Sequence, residues 1–158
     1  MTVDDIYRWL EEVKDPEIPV LSLVDLGVIT HVVIDGERIE VEMTPTFVGC
    51  PALDVMKDDI IRILREHNVK EVSVKVSYRD PWSTDKLSEK GRAALKKFGL
   101  SPPPSSKIID DIEVLEHALC PLCNGTNTEI KSLFGPTLCR SIHYCFDCKQ
   151  AFEQFKPL

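Results

Sequence analysis

The chain has 158 residues, of which 26 are acidic and 19 are basic, and 43% of the residues are hydrophobic. This hydrophobic fraction argues against disorder. No apolar run approaches the roughly 18–20 residues of a membrane helix, and the N-terminus lacks the apolar core of a signal peptide. The acidic excess argues against nucleic acid as the main partner. We therefore expect a cytoplasmic protein whose partners are other proteins.

The first hundred residues alternate between helix and strand patterns. A capping-box pattern at Thr2 and Asp5 opens the first helix, and Asp35-Gly36 indicates a tight hairpin. The predicted elements are, in chain order, a helix ending at 15–16, strands at 28–34 and 39–43, a helix at 53–64, a strand at 71–77, and a helix from 83 or 84 to 99. The inward residues of the last helix are expected to be Leu87, Ala94, Leu95 and Phe98. This αββαβα order predicts an α+β domain at 1–99, with helices packed on one face of a three-stranded sheet.

A proline-rich stretch at 100–107 separates this domain from the tail. Pro102, Pro103 and Pro104 exclude a helix or a central strand there, so we predict an extended linker. The tail, at 108–158, has candidate strands at 128–134, 140–144 and 151–155. Because about 50 residues rarely hold a fold by apolar burial alone, we expect a metal-stapled, zinc-ribbon-like β module.

Five of the six cysteines lie in this tail, and four of them form two C-x-x-C pairs. Each two-residue interval lets a tight turn direct two thiolates at one ion, so the pairs predict a structural zinc site formed by Cys120, Cys123, Cys145 and Cys148. An iron–sulfur cluster also uses four thiolates and stays open as an alternative, whereas a reducing cytosol disfavours disulfides. Cys139 and His143 are spare candidate ligands, which we interpret as buried structural residues.

Two proline-containing loops stand out in the predicted N-terminal domain, at 15–19 and 43–51. The second loop runs into the predicted helix at Pro51. That would place Cys50 at the N-cap, where the helix dipole and free amides lower the pKa of a thiol. An inert buried cysteine explains the same sequence equally well. Asp15 and Glu17, in the first loop, are either functional carboxylates or residues that only cap a turn.

The segments DPEIPVLSLVDLGVI at 15–29 and VEMTPTFVGCP at 41–51 resemble the signature of the SufT/PaaD-type iron–sulfur assembly domain. The cysteine tail is similar to the C-terminus of the PaaD subgroup, which is associated with phenylacetyl-CoA epoxidase, a di-iron oxygenase system. The resemblance implies metal binding by the two cysteine pairs and assigns no role to Cys139. It also implies a functional pocket formed by Asp15, Glu17, Thr44, Thr46 and Cys50.

The same resemblance implies a role for the whole protein. The chain would be an accessory subunit, not an enzyme, that acts in iron–sulfur cluster or metal-centre assembly for the oxygenase and reductase subunits of phenylacetate degradation. Its tail would hold structural Zn²⁺. Its N-terminal pocket would transiently hold iron or an iron–sulfur cluster, since a soft thiolate with carboxylates suits labile iron. The sequence leaves the oligomeric state open, and a homo-oligomer is compatible with it.

Two other functions stay open on the residues alone. A thiol-dependent enzyme that uses Cys50 needs a base beside its nucleophile. The four histidines show no recognisable arrangement with that cysteine: His31, His67, His117 and His143. The cysteine tail also fits a zinc-ribbon interaction module that docks on nucleic acid or a polymerase. The acidic balance argues against nucleic acid, and a protein partner stays open.

Overall fold

The computed structural model of the chain describes residues 1–104 and 116–157. The chain divides into two compact units, Met1–Trp82 and Ser83–Leu158. Among the described helices, none combines the length and the apolar character needed to cross a lipid bilayer.

The first unit combines two helices with a three-stranded sheet and a small hairpin. Its elements are α1 (Val3–Leu10), β1 (Lys14–Asp15), β2 (Ile18–Ser22), β3 (Ile29–Asp35), β4 (Arg38–Met43), α2 (Leu53–Glu66) and β5 (Glu71–Val76). In the sheet, β4 lies in the middle, antiparallel to β3 and parallel to β5. β1 and β2 form the separate hairpin.

Local sequence explains how this unit forms. Thr2 accepts a hydrogen bond from the backbone of Asp5, whose carboxylate accepts one from the Thr2 amide at 2.8 Å, so the predicted capping box is confirmed. Gly36, with a φ of 61°, turns β3 into β4. Buried apolar side chains from both helices and from strands β2 and β4 form the core: Ile6, Leu10, Ile18, Leu21, Ile39, Val41, Met43, Met56, Ile60 and Leu64.

In the part of the chain that the structure describes, the second unit contains an α-helix and a four-stranded sheet. After a 3₁₀ turn at Thr84–Lys86 come α3 (Glu89–Phe98), β6 (Leu100–Ser101), β7 (Thr128–Ser132), β8 (Arg140–Cys145) and β9 (Gln150–Phe155). The strand order is β6-β9-β8-β7, with β6 parallel to β9 and the other pairs antiparallel. The Ser88 hydroxyl caps α3 by accepting from the Gly91 amide at 2.9 Å, and Gly99, with a φ of 96°, ends it.

The α+β class and the three tail strands are confirmed. The differences from the sequence prediction are the ends of two helices and three short strands that are not expected from the sequence, β1, β2 and β6. α1 ends at Leu10 instead of 15–16, because Lys14 and Asp15 pair with β2. The last predicted helix is shortened to Glu89–Phe98. The expectation that Phe98 faces inward is wrong, since its side chain is 45% exposed.

The predicted linker also contains structure. Residues 100 and 101 form β6 beside β9, and residues 105–107 lie outside the described part of the chain. Because α3 leads directly into β6, the compact units divide after Trp82 instead of near residue 100. The domain limits drawn from the sequence, at 1–99 and 108–158, stay a prediction.

Candidate functional site

Four cysteine sulfurs converge in the second unit. The Sγ atoms of the two C-x-x-C pairs all lie within 4.8 Å of one another. Cys120 Sγ is 3.8 Å from Cys148 Sγ, and Cys123 Sγ is 3.6 Å from Cys145 Sγ. Thiolates about 2.3 Å from one tetrahedral ion lie about 3.8 Å apart. The predicted set therefore has the donor type and the size of a single-ion site, and within 1–104 and 116–157 no other group of His, Cys, Asp or Glu side chains is arranged this way.

Each cysteine pair lies in a tight turn that is followed by a residue with left-handed backbone. The Cys120 amide donates to the Gly125 carbonyl at 3.0 Å, and the Asn124 amide donates to the Cys120 carbonyl at 2.9 Å. Asn124 and Lys149, which follow the two pairs, have φ values of 61° and 58°. Asparagine tolerates this conformation better than lysine does. The first turn precedes β7 and the second joins β8 to β9, so strand pairing brings both turns to one place.

Backbone amides point at the sulfurs within these turns. The Gly125 amide lies 3.3 Å from Cys123 Sγ. The amides of Cys148 and Asp147 donate to Cys145, which lowers the pKa of the Cys145 thiol to about 7. A Cβ atom at position 125 would lie only 2.3 Å from Asp147 Oδ2 and 3.1 Å from Cys123 Sγ. Glycine at this position is therefore part of the geometry of the site.

Cys139 and His143 lie outside the four-sulfur group. Cys139 Sγ is half-buried and lies 3.1 Å from Thr137 Oγ1. His143 is fully buried in β8, where its Nε2 lies 3.0 Å from Ser141 Oγ and its ring stacks on Phe152. Their interpretation as structural residues agrees with these positions.

Asp15, Glu17 and Cys50 all belong to the first unit, where the two carboxylates act on the cysteine through their charge. The Asp15 carboxylate accepts from the amides of Glu17 and Ile18, at 2.8 and 2.9 Å, and so fixes the turn between β1 and β2. The carboxylates of Glu17 and Asp15 are both close enough to raise the pKa of the Cys50 thiol electrostatically. Asp15 thus caps a turn and also contributes charge to the cysteine.

The expected N-cap position and lowered pKa of Cys50 are both wrong. α2 begins at Leu53 with Ala52 as its N-cap, so Cys50 lies two residues before the cap. The pKa of Cys50 is raised, chiefly because the thiol is partly buried and further because Glu17 and Asp15 are negative. The Ala52 amide donates to the sulfur and opposes this shift without overcoming it.

Thr44 and Thr46 belong to the loop that leads from β4 to Cys50. Thr44 is buried, and its amide donates to the Val28 carbonyl at 2.8 Å, whereas Thr46 is half-buried. Because β4 and β5 are parallel, this loop starts where both strands end. The structure thus places Thr44 beside the start of β3.

The turn at 22–27 is the part of this region that the sequence reasoning missed. The Ser22 hydroxyl donates to Asp25 Oδ2 at 2.8 Å and accepts from the Asp25 amide at 2.9 Å. The Leu26 amide donates to the Ser22 carbonyl, and the Gly27 amide donates to the Val24 carbonyl. The S-x-x-D spacing is a capping pattern and is the signal that predicts this turn.

Two family models match the chain. The model described as iron-sulfur cluster assembly protein matches residues 3–76, and the model described as PaaD zinc beta ribbon domain matches residues 105–156. The first match contains the Cys50 region, and the second contains the four-sulfur site.

The chain is also similar to two named bacterial proteins and to a solved structure. An Escherichia coli (strain K12) protein, named as a candidate 1,2-phenylacetyl-CoA epoxidase subunit, is 32% identical over 98% of this chain and 92% of its own length. A Porphyromonas gingivalis protein named Fe-S protein maturation auxiliary factor is 35% identical over 60% of this chain and 90% of its own. A solved domain of unknown function from Bacillus anthracis is 32% identical with a TM-score of 0.55, and covers 58% of this chain and 89% of its own.

Proposed function

The chain belongs to the PaaD family of phenylacetyl-CoA epoxidase subunits, and from this premise we propose that it is an accessory factor that delivers iron or an iron–sulfur cluster to the epoxidase system. Its acceptors would be the oxygenase and reductase subunits of that system. The names of the relatives, an epoxidase subunit and an Fe-S maturation auxiliary factor, support both halves of the proposal.

The observation that carries the proposal is the chemistry around Cys50. A partly buried thiol whose pKa is raised by burial and by the charges of Glu17 and Asp15 stays protonated until a cation arrives. Binding of ferrous iron, the cargo, exchanges the thiol proton for an Fe–S bond and releases one proton to solvent. The charges of Glu17 and Asp15 favour this cation. A single thiolate with carboxylates suits transient holding better than a closed four-ligand site does.

The same observation disfavours a thiol-dependent enzyme. A nucleophilic cysteine reacts as the thiolate, which a lowered pKa favours, and the pKa of Cys50 is shifted upward. The charge that hinders thiolate formation in the free protein is useful when the thiol must bind a metal ion.

We assign a structural zinc ion to the four cysteines of the tail. A multi-iron cluster distributes four thiolates over two or more irons, whereas these sulfurs lie at the spacing of ligands to a single ion. A closed set of four thiolates leaves no open coordination position. The zinc ion would therefore stabilise the ribbon and take no part in delivery.

The test is co-expression of the epoxidase components with the Cys50→Ser variant. We expect the reductase to be purified with less iron and sulfide than it has with the wild-type chain. The matched control is Cys139→Ser, which changes the cysteine outside both sites and should leave the cluster content unchanged. Full cluster loading with Cys50→Ser would refute the delivery role.

A further inference from the structure

Trp82 is the last residue of the first unit, and its indole is buried. Its Nε1–H donates to the Leu26 carbonyl at 2.8 Å, across 56 residues of sequence. The matched assembly domain ends at residue 76, so this donor comes from a segment beyond the domain. A buried indole is anchored by its N–H, and here the anchor point is the turn at 22–27.

One end of that turn is tied to the hairpin that carries Asp15. Ser22 pairs with Lys14 in the β1–β2 ladder, directly beside Asp15. The amide of Leu23 donates to the Val13 carbonyl at 2.9 Å. A shift of the turn would therefore move the hairpin whose carboxylate charges act on Cys50.

The other end of the turn is tied to the loop that carries Cys50. At the end of the turn, the Val28 amide donates to the Leu23 carbonyl at 3.0 Å. The Val28 carbonyl then accepts from the Thr44 amide at 2.8 Å, and Thr44 is the first residue after β4. One turn thus connects both loops of the candidate site, and Trp82 holds that turn.

We propose that Trp82 is a positioning residue of the Cys50 site: by holding the Leu26 carbonyl, it fixes the turn that sets the Asp15–Glu17 hairpin against the cysteine loop. The proposal rests on the function proposed above for Cys50. The segment after β5 is therefore a structural part of the site. This segment leaves the sheet at the end of β5, where the Ser77 amide donates to the Met43 carbonyl of β4 at 2.9 Å.

The primary test is the pH profile of Cys50 alkylation in the zinc-loaded full chain. Iodoacetamide is the probe, and mass spectrometry of the Cys50 peptide separates this thiol from Cys139. Trp82→Phe keeps an aromatic ring and removes the N–H donor. We expect the alkylation midpoint to fall by about half a pH unit, with a roughly threefold higher rate below the midpoint, because the thiol loses burial and carboxylate proximity.

The matched control is Trp9→Phe, the same change at a tryptophan that stacks on His67 at 4.5 Å, and it should leave the profile unchanged. A second variant, Ser22→Ala, removes the Ser22–Asp25 bonds of the same turn and should shift the midpoint in the same direction. This variant decides the question if Trp82→Phe does not fold by circular dichroism. An unchanged profile in both turn variants, or an equal shift in Trp9→Phe, would overturn the proposal.

A second measurement separates this inference from the delivery role. Ferrous iron alone is added anaerobically to the zinc-loaded wild type, and the thiolate absorption that Cys50→Ser lacks is recorded. If the wild type binds no iron, the delivery role fails, while a shifted alkylation profile still supports Trp82 as the residue that positions the thiol. If the wild type binds iron, Trp82→Phe should bind it several-fold more weakly, and equal affinity with an unshifted profile contradicts the proposal.

Discussion

Gly125 is the position where the geometry of the four-cysteine site leaves no room for a side chain. In Gly125→Ala the new Cβ would lie 2.3 Å from Asp147 Oδ2 and 3.1 Å from Cys123 Sγ. The Asp147 carboxylate is exposed and can rotate away, and the hydrogen bond that it accepts from Asn127 is long at 3.4 Å. The sulfur could not yield in the same way, because the zinc ion assigned above would fix the Cys123 thiolate.

The penalty should therefore arise mainly at Cys123. Overpacking of this kind costs about 1–3 kcal/mol, and because the larger overlap is relieved by rotation of Asp147, we expect the lower part of that range, about 1–2 kcal/mol. At 1.4 kcal/mol per tenfold change, this weakens zinc binding about 5- to 30-fold. The Gly125 amide that faces the same sulfur would be displaced at the same time.

The assay is competition for zinc with a chromophoric chelator. Asp147→Ala alone should bind zinc like the wild type, and Gly125→Ala with Asp147→Ala should stay within about threefold of Gly125→Ala, because the sulfur contact remains. Wild-type affinity in Gly125→Ala would refute the reasoning. Complete recovery in the double variant would show instead that the carboxylate carries the penalty.

Three further substitutions test other parts of the structure. Glu17→Gln removes a charge that raises the pKa of Cys50, so that pKa should fall and iodoacetamide should react faster at fixed pH; an unchanged rate would contradict the contact. Lys149 has left-handed backbone, which glycine adopts without strain, so Lys149→Gly should stabilise the zinc-loaded ribbon by about 1 kcal/mol. The melting temperature should rise in this variant and should not rise when another exposed residue of the ribbon is changed to glycine. Ser88→Ala removes the cap of α3 and should destabilise the second unit by about 1 kcal/mol in denaturant, whereas Ser88→Thr should retain most of the stability.

The sequence predicts well what depends on local pattern. Alternation along β4 places Ile39, Val41 and Met43 inward because a strand turns successive side chains to opposite faces. The two C-x-x-C pairs predict four converging sulfurs because their spacing is set by the turn itself. The likeness of the signature loops to a known family is shown by the relatives found.

Features set by distant contacts are not predictable in this way. β6 has only two residues, and it forms because β9 pairs with it. Three prolines follow it directly in the sequence, so the local pattern predicts a linker there instead of a strand. The β1–β2 hairpin is hidden in the same manner by Pro16 and Pro19, which argue against a strand unless it lies at an edge.

The properties of Cys50 illustrate the same limit at the candidate site. Local sequence suggests a helix N-terminus and a lowered pKa, and one amide, that of Ala52, does act in that direction. Burial by the folded unit and the carboxylates of the β1–β2 hairpin decide the outcome instead. The pKa of a thiol is set by its burial and by nearby charges in the folded protein, and the neighbouring residues in sequence do not show these.

The most direct test of iron delivery through Cys50 is metal analysis, with absorption spectra, of anaerobically purified wild-type chain and its Cys50→Ser variant. We expect about one zinc ion per chain in both proteins, because the ribbon cysteines are intact in each. We expect iron with thiolate absorption in the wild type and the loss of both in Cys50→Ser. Equal iron content and equal absorption in the two proteins would contradict the delivery role.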